Sequence, residues 1–227
     1  MNQARLGQPR VHLRRTDSTN ARARELAERG VPDGTLVTAE EQWAGRGRQG
    51  RSWTAPRGRA LLCSLVVREP PRLLPLAAGV AVAELAGPAA AVKWPNDVLL
   101  DGRKVAGILV EGRPQEGWAV LGIGVNVAIR VEHLPAELRD RAGGLGRSRE
   151  AIEPALTELL ERLELWLAAP PPAVLTALRE RDVLHGRPVR WEGGHGHGGG
   201  IDEQGRLVVV TANGRRALEA GEVHLAH

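Results

Sequence analysis

Apolar residues along this chain change their spacing several times, and each change marks a different kind of element. From Thr16 to Gly30, TDSTNARARELAERG predicts a helix. Asp17 or Ser18 serves as N-cap, Leu26 lies on the apolar side and Gly30 supplies the stop. In VPDGTLVTAEEQ, Pro32, Asp33 and Gly34 form a turn before a strand. The unbroken run ALLCSLVVREP suits a buried strand, and LLPLAAGVAVAELAGP suits a buried helix ending near Gly87. Three further strands are expected in AAAVKWPNDVLLDG, RKVAGILVEG and WAVLGIGVNVAI. Asp101-Gly102 reads as a hairpin turn between the first two, and Trp94-Pro95 as an extended stretch within the first.

Helical spacing returns between Arg149 and Ala169, where Ile152, Leu156, Leu159, Leu160, Leu163 and Leu167 form one apolar stripe. Pro170 to Pro172 ends it, and AVLTALRERD gives a shorter helix. After Asp182, GRPVRWEGG, GIDEQGRLVVVTANG and RRALEAGEVHLA read as short strands between glycine turns, the pattern of a small barrel. The expected class is therefore α+β, with one unit over residues 1–182 and a second over 183–227.

Composition adds constraints. Hydrophobic residues are 42% and charged residues 26%, ordinary for a folded globular protein. Phe and Tyr are absent, so flat rings that could stack on a ligand must come from the six Trp or from His. Lys and Arg number 31 against 27 acidic residues, a net charge of +4 that is too mild for a dedicated nucleic-acid coat. Cys63 stands alone, which excludes an intramolecular disulfide and a cysteine metal cage and fits a reducing compartment. No run reaches the ~20 apolar residues of a membrane span, and the first fifteen residues lack a signal-peptide core. A cytoplasmic location without membrane contact is expected.

The densest local signal is GRGRQGRSW, Gly45 to Trp53. Gly45, Gly47 and Gly50 satisfy G-x-G-x-x-G, and Gly45 to Ser52 nearly satisfies the P-loop pattern with Arg51 in place of Lys. Both motifs need a helix directly afterwards to present its amides to phosphate. Pro56, Gly58 and the apolar run beyond them predict a strand instead, so both fingerprints are rejected. Alone, the stretch reads more readily as a solvated basic loop or an RGG-like nucleic-acid contact than as a site. His195 and His197 in EGGHGHGGG have no third ligand nearby and are read as a flexible hairpin loop in place of a metal site.

Company gives the loop meaning. DSTN (Asp17 to Asn20) precedes it; KWPNDV (Lys93 to Val98), GRKVAGILVEG (Gly102 to Gly112) and GIGVNV (Gly122 to Val127) follow. This ordered set resembles the biotin protein ligases, strongly from Thr16 to Val127 and loosely in the C-terminal barrel. The resemblance implies a catalytic domain of mixed sheet and helices, akin to class II aminoacyl-tRNA synthetases and lipoate ligases, followed by an SH3-like barrel. It implies that biotin and ATP condense to biotinyl-5′-adenylate, and that a lysine amine of a biotin carboxyl carrier protein then attacks. Ser18, Thr19, Asn20 and Gln42 would hydrogen-bond the ureido ring of biotin. Arg46, Gly47, Arg48 and Arg51 would belong to a mobile loop that folds over biotin and the adenylate phosphate. Lys104 would bridge biotin carboxylate and α-phosphate, Asp97 would orient the incoming amine, and Trp53, Asn96 and Asn126 would line the nucleotide side. Mg²⁺ is implied by ATP chemistry, with no ligands named.

The loop also has a physical rationale of its own. A mixed anhydride hydrolyses in water, glycines let a covering loop change shape, and guanidinium groups grip carboxylate and phosphate in bidentate fashion. Departures from the family are expected too. The short segment before Asp17 has no room for a DNA-binding domain, and the stretch after Asn126 has no Trp to stack on adenine. Monomer and homodimer are both left open. Rival readings are a lipoate-type ligase on the same scaffold and an RNA-binding module built on the Arg-rich loop.

Overall fold

In the computed structural model, residues 6–219, 221 and 223–226 are described. Residues 1–5, and Ala220 and Glu222 of the last expected strand, lie outside the described residues. Chain order gives β1 (Arg10–Leu13), α1 (Thr19–Glu28), β2 (Leu36–Ala39), β3 (Leu61–Arg68) and α2 (Leu74–Ala86). There follow β4 (Ala91–Lys93), β5 (Asp97–Leu100), β6 (Arg103–Arg113), β7 (Trp118–Val125) and the single-turn α3 (Ala136–Arg139). The chain continues through α4 (Ile152–Ala168), α5 (Pro171–Glu180), β8 (Pro188–Trp191), β9 (Gly194–Ile201), β10 (Leu207–Thr211), β11 (Gly214–Leu218) and β12 (Val223–Leu225).

The first seven strands form one mixed sheet in the order β1-β2-β3-β7-β6-β5-β4, parallel only between β1 and β2. Alternation along its strands sends successive side chains to opposite faces. Leu36, Leu65 and Leu121 point to the main core with Val80, Leu85, Leu159 and Leu163 of α2 and α4. Their neighbours Val37, Val66 and Val120 point the other way and meet Ala23 and Ala27 of α1. The helix α1 covers only part of that second face. Two residues further along β7 the same face carries Gly122 and Gly124, paired with Ser64 and Leu62 of β3 and with Leu109 and Gly107 of β6. Small residues there leave a floor without side-chain bulk.

The remaining five strands form an antiparallel sheet in the order β11-β10-β9-β8-β12. Val189, Leu207, Val209 and Val223 of that sheet join the main core cluster with Leu175 and Leu178 of α5. Trp94 Nε1 donates to the Gly205 carbonyl at 3.0 Å, fastening the two sheets together. The α+β class expected from the sequence is the observed one. No helix among the described residues is long and apolar enough to cross a membrane.

Two expectations are corrected and a third is refined. AAAVKWPNDVLLDG is not one strand: the chain reverses at Trp94-Pro95, whose peptide is cis, and Lys93 pairs with Asp97 across a short hairpin. His195 and His197 lie inside β9 and not in a flexible loop, because the turn falls one step earlier at Gly193, φ +86°. Ser18 occupies the N-cap of α1, yet neither it nor Asp17 caps through its side chain. Asp17 Oδ1 instead accepts from the Ser18 N–H at 2.7 Å, while Ser18 faces the cavity described below. By contrast Asp101 and Gly102 both have positive φ, 51° and 74°, the requirement of a type I′ hairpin.

Candidate active site

The uncovered floor, the start of α1 and the loop from Gly45 to Trp53 enclose a cavity of about 790 Å³. Every sequence-nominated site residue lines it: Ser18, Thr19, Asn20, Gln42, Arg46, Gly47, Arg48, Arg51, Trp53, Asn96, Asp97, Lys104 and Asn126. Its two ends differ in chemistry.

One end is neutral and built from short side chains. Thr19 and Asn20 sit in the first turn of α1, where they meet Ser64 from the middle of β3. Ser64 Oγ lies 2.8 Å from Thr19 Oγ1 and 2.6 Å from Asn20 Oδ1, and its residue is wholly buried. The Thr19 N–H and hydroxyl both donate to Gln42 Oε1, at 2.6 and 2.9 Å. Asn20 Nδ2 donates to Glu111 Oε2 at 2.8 Å. A Cβ at Gly122 would run into the Asn20 amide, so glycine is what lets α1 sit this close to the floor. Asp17 anchors the start of α1. Burial would push its carboxyl pKa up, but hydrogen bonds from Arg22, the Ser18 N–H and Thr16 outweigh that and hold it below the usual range.

The other end is ionic. The β5–β6 ladder shifts register between Val98 and Leu99, and such an irregularity re-aims side chains. Val105 and Ala106 both pack in the core, while Lys104 turns onto the cavity side, where its Nζ meets Asp97 Oδ1 at 2.7 Å. Arg48 donates to Asn96 Oδ1 at 3.0 Å, and Asn96 is itself fixed by giving Nδ2–H to the Ile108 carbonyl at 3.1 Å. Asn126 is committed elsewhere: its side-chain amide donates to the Gly143 carbonyl at 2.8 Å, pinning the 142–145 segment beside β6.

Trp53 lies over the floor between these ends. Cβ atoms at Gly107 and Gly124 would stand 3.0 and 2.6 Å from its ring atoms, and Lys104 Nζ is 5.7 Å from the ring centroid. The loop that delivers it is a hairpin in which Arg46 bridges Ser52, Gly47 N–H donates to Arg51 O at 2.7 Å, and Trp53 N–H to Gly45 O at 2.9 Å. Gln49 and Gly50 turn it with φ of 54° and 74°. No helix follows, in keeping with rejection of the P-loop and dinucleotide fingerprints. Arg46 pairs with Glu111 Oε1 at 3.2 Å, so one carboxylate joins the roof to Asn20.

Sequence reasoning missed Ser64, Glu111 and the glycine floor. Each left a trace: a lone hydroxyl within ALLCSLVV, a carboxylate two positions beyond Leu109 on the same strand face, and glycines at alternate positions 122 and 124.

A roofed cavity with a neutral, hydrogen-bonding end and a cationic end is suited to an enzyme that holds a small polar acid against a phosphate-bearing partner. Comparison with known proteins gives the family. The biotin/lipoate A/B protein ligase family matches residues 12–127, and the biotin protein ligase C-terminal domain matches residues 184–225. A biotin–[acetyl-CoA-carboxylase] ligase from Paracoccus denitrificans is 37% identical over 93% of this chain and 98% of its own length. Its counterpart in Mycobacterium tuberculosis is 36% identical over 92% and 85%. The biotin protein ligase of Aquifex aeolicus, solved with biotin and ATP, superposes with a TM-score of 0.85 at 28% identity, over 96% of this chain and all of that one. This chain belongs to the biotin/lipoate A/B protein ligase family.

Proposed function

We propose that this protein is a biotin–protein ligase, which uses ATP to activate biotin as biotinyl-5′-AMP and transfers the biotinyl group to a lysine of a biotin carboxyl carrier domain. The observation that carries the reading is the two-ended cavity beneath a single glycine–arginine roof. The match of residues 184–225 to the biotin protein ligase C-terminal domain favours biotin over lipoate. On this reading the catalytic unit spans residues 1–182 and the SH3-like unit 183–227.

Ser18, Thr19, Asn20 and Gln42 hold the ureido ring, a neutral group whose donors and acceptors match hydroxyls and amides. The carboxylate then points towards Lys104. In activation, a biotin carboxylate oxygen forms a bond to the α-phosphorus as the bond to pyrophosphate breaks. Lys104, with Arg48 and Arg51 from the roof, offsets the charge that gathers on phosphate oxygens. Asp97 keeps the Lys104 ammonium aimed until substrate replaces it. In transfer, the carrier amine attacks the acyl carbon, AMP leaves, and Asp97 orients the amine and accepts its proton. Arg46 and Gly47 close the roof and exclude water from the anhydride. Trp53, packed over the glycine floor, offers its ring to the reacting groups, and Asn96 fixes Arg48. Asn126, by holding the 142–145 segment, shapes the adenylate side.

Among the described residues no three potential metal ligands cluster, so Mg²⁺ has no cage of its own. It fits as the counter-ion of ATP, a role that needs only one or two carboxylates besides phosphate oxygens. Asp97 and Asp140 are the carboxylates lining the cavity that could share it.

Incubation of the chain with ATP, Mg²⁺, biotin and an apo carrier domain should raise the carrier's mass by one biotinyl group. Transfer of lipoate and not biotin would replace the reading with a lipoate ligase. RNA binding that weakens steeply with salt, without biotin-dependent exchange, would replace it with a nucleic-acid module.

A further inference from the structure

Glu111 stands near the end of β6, two residues beyond Leu109 and on the same face of the strand. Its carboxylate meets two different parts of the molecule. Oε2 accepts from Asn20 Nδ2 at 2.8 Å, in the first turn of α1, and Oε1 meets Arg46 Nη1 at 3.2 Å, at the start of the roof. Glu111 is not among the residues lining the main cavity; it borders a second recess with Leu109 and residues 44–52 of the roof. It therefore acts on the site through Asn20 and Arg46 and not by contact with the substrates.

A carboxylate accepts hydrogen bonds and does not donate them, so the Asn20 atom that faces it is the amide nitrogen. The same nitrogen lies 3.4 Å from the Leu109 carbonyl. Asn20 Oδ1 is thereby turned to Ser64 Oγ, 2.6 Å away, where a Cβ at Gly122 would meet it. Glu111 thus decides which end of the Asn20 amide the neutral end of the cavity receives. An ion pair as exposed as Arg46–Glu111, 48% and 26% by side chain, holds a loop only weakly when it stands alone. Here the carboxylate is shared: it meets Arg46 at a place that Asn20 sets, and Asn20 is itself held at the floor by Ser64.

We propose that Glu111 is a positioning residue that couples the ureido-binding end of the cavity to closure of the roof: biotin held by Asn20 fixes the carboxylate, which then holds Arg46 and its hairpin over the site. The inference rests on the biotin-ligase reading. Coupling is reciprocal, so a roof held by Glu111 raises biotin affinity by the same factor by which biotin favours closure. Cutting the link at either residue loses both effects together.

Wild type, Glu111→Gln, Arg46→Gln and the double variant, all as full chains, are to be compared by calorimetry with biotin and by trypsin cleavage within residues 45–53, scored after Arg48 and Arg51. Saturating biotin should slow that cleavage about tenfold in the wild type, because proteolysis of a loop follows its open population. In each single variant the loop should be cut as fast with biotin as without it, and the biotin Kd should rise about tenfold, with no further rise in the double variant. Melting temperatures without biotin should match, since so exposed a pair adds little to folding. Effects that multiply to about a hundredfold in the double variant would show two separate contributions and overturn the inference. Wild-type affinity and protection in Arg46→Gln would overturn it too, whatever Glu111→Gln does to the fold. A wild type that does not bind biotin would instead remove the underlying ligase reading.

Discussion

The two ends of the cavity are stabilised in opposite ways. At the neutral end Thr19, Asn20, Ser64 and Gln42 bond to one another across α1, β3 and the segment leading to the roof, and the first three are at most 5% exposed. At the ionic end Lys104 and Asp97 are partly exposed, 34% and 17% by side chain, and form an ion pair that a substrate carboxylate or phosphate can replace. Preorganised neutral hydrogen bonds bind a ground state at little cost in reorganisation. Exposed ionic groups contribute little to folding and act when charge develops. Binding and chemistry are thus divided between a rigid end and an exchangeable one.

Lys104→Ala should break this contrast most sharply. Loss of one preorganised positive group at a reacting phosphate is expected to lower exchange about 100-fold or more, with the melting temperature close to wild type. A large loss of stability instead would show that the ionic end is structural. Gly122→Ala tests the rigid end from beneath, since its methyl group has to displace the Asn20 amide. Overpacking of about 1–3 kcal/mol should appear in denaturant unfolding, with a marked loss of biotin affinity by calorimetry. Ser64→Ala removes the hydroxyl shared by Thr19 and Asn20. It should cost roughly 1–3 kcal/mol and raise the KM for biotin more than it lowers kcat. Equal falls in kcat and kcat/KM would assign Ser64 to the reacting end.

Smaller effects sharpen the same contrast. The lowered pKa of Asp17 means that its contribution to α1 is present above the ordinary carboxylate range and is lost as pH falls through the lowered value. Biotin affinity should therefore weaken in acid, and Asp17→Asn should flatten that profile. Cys63 borders the cavity from the core side of β3, and burial pushes its thiol up to about 12. Iodoacetamide should leave it unmodified near neutral pH in the folded chain, and label it once the chain unfolds.

Sequence was most informative where pattern and chemistry coincide. Leu61–Arg68, Leu74–Ala86 and Ile152–Ala168 follow from unbroken apolar runs or a clean helical stripe, and the Asp101-Gly102 turn from the conformations those residues allow. The hairpin at Trp94-Pro95 escaped because three-residue strands carry too few positions to show a period, and a proline is compatible with both readings. His195 and His197 escaped because glycine-rich β9 has little side-chain pattern to mark it as a strand. Lys93, Asn96, Asp97, Lys104 and Arg48 were legible as a set by their motifs. The contact of Lys104 with Asp97 was not, since it depends on the register shift that turns Lys104 inward. Ser64 and Glu111 stayed hidden for a related reason: only strand pairing reveals that they share a face with Gly122 and Gly124.

The division of labour between the two ends can be read in one assay, biotin-dependent ATP–pyrophosphate exchange measured with Lys104→Ala and Ser64→Ala beside the wild type. The account predicts robust exchange in the wild type, an exchange kcat reduced about 100-fold in Lys104→Ala at similar biotin affinity, and a raised biotin KM with largely preserved kcat in Ser64→Ala. Wild-type kcat in Lys104→Ala, or no biotin-dependent exchange in the unmodified chain, would contradict it.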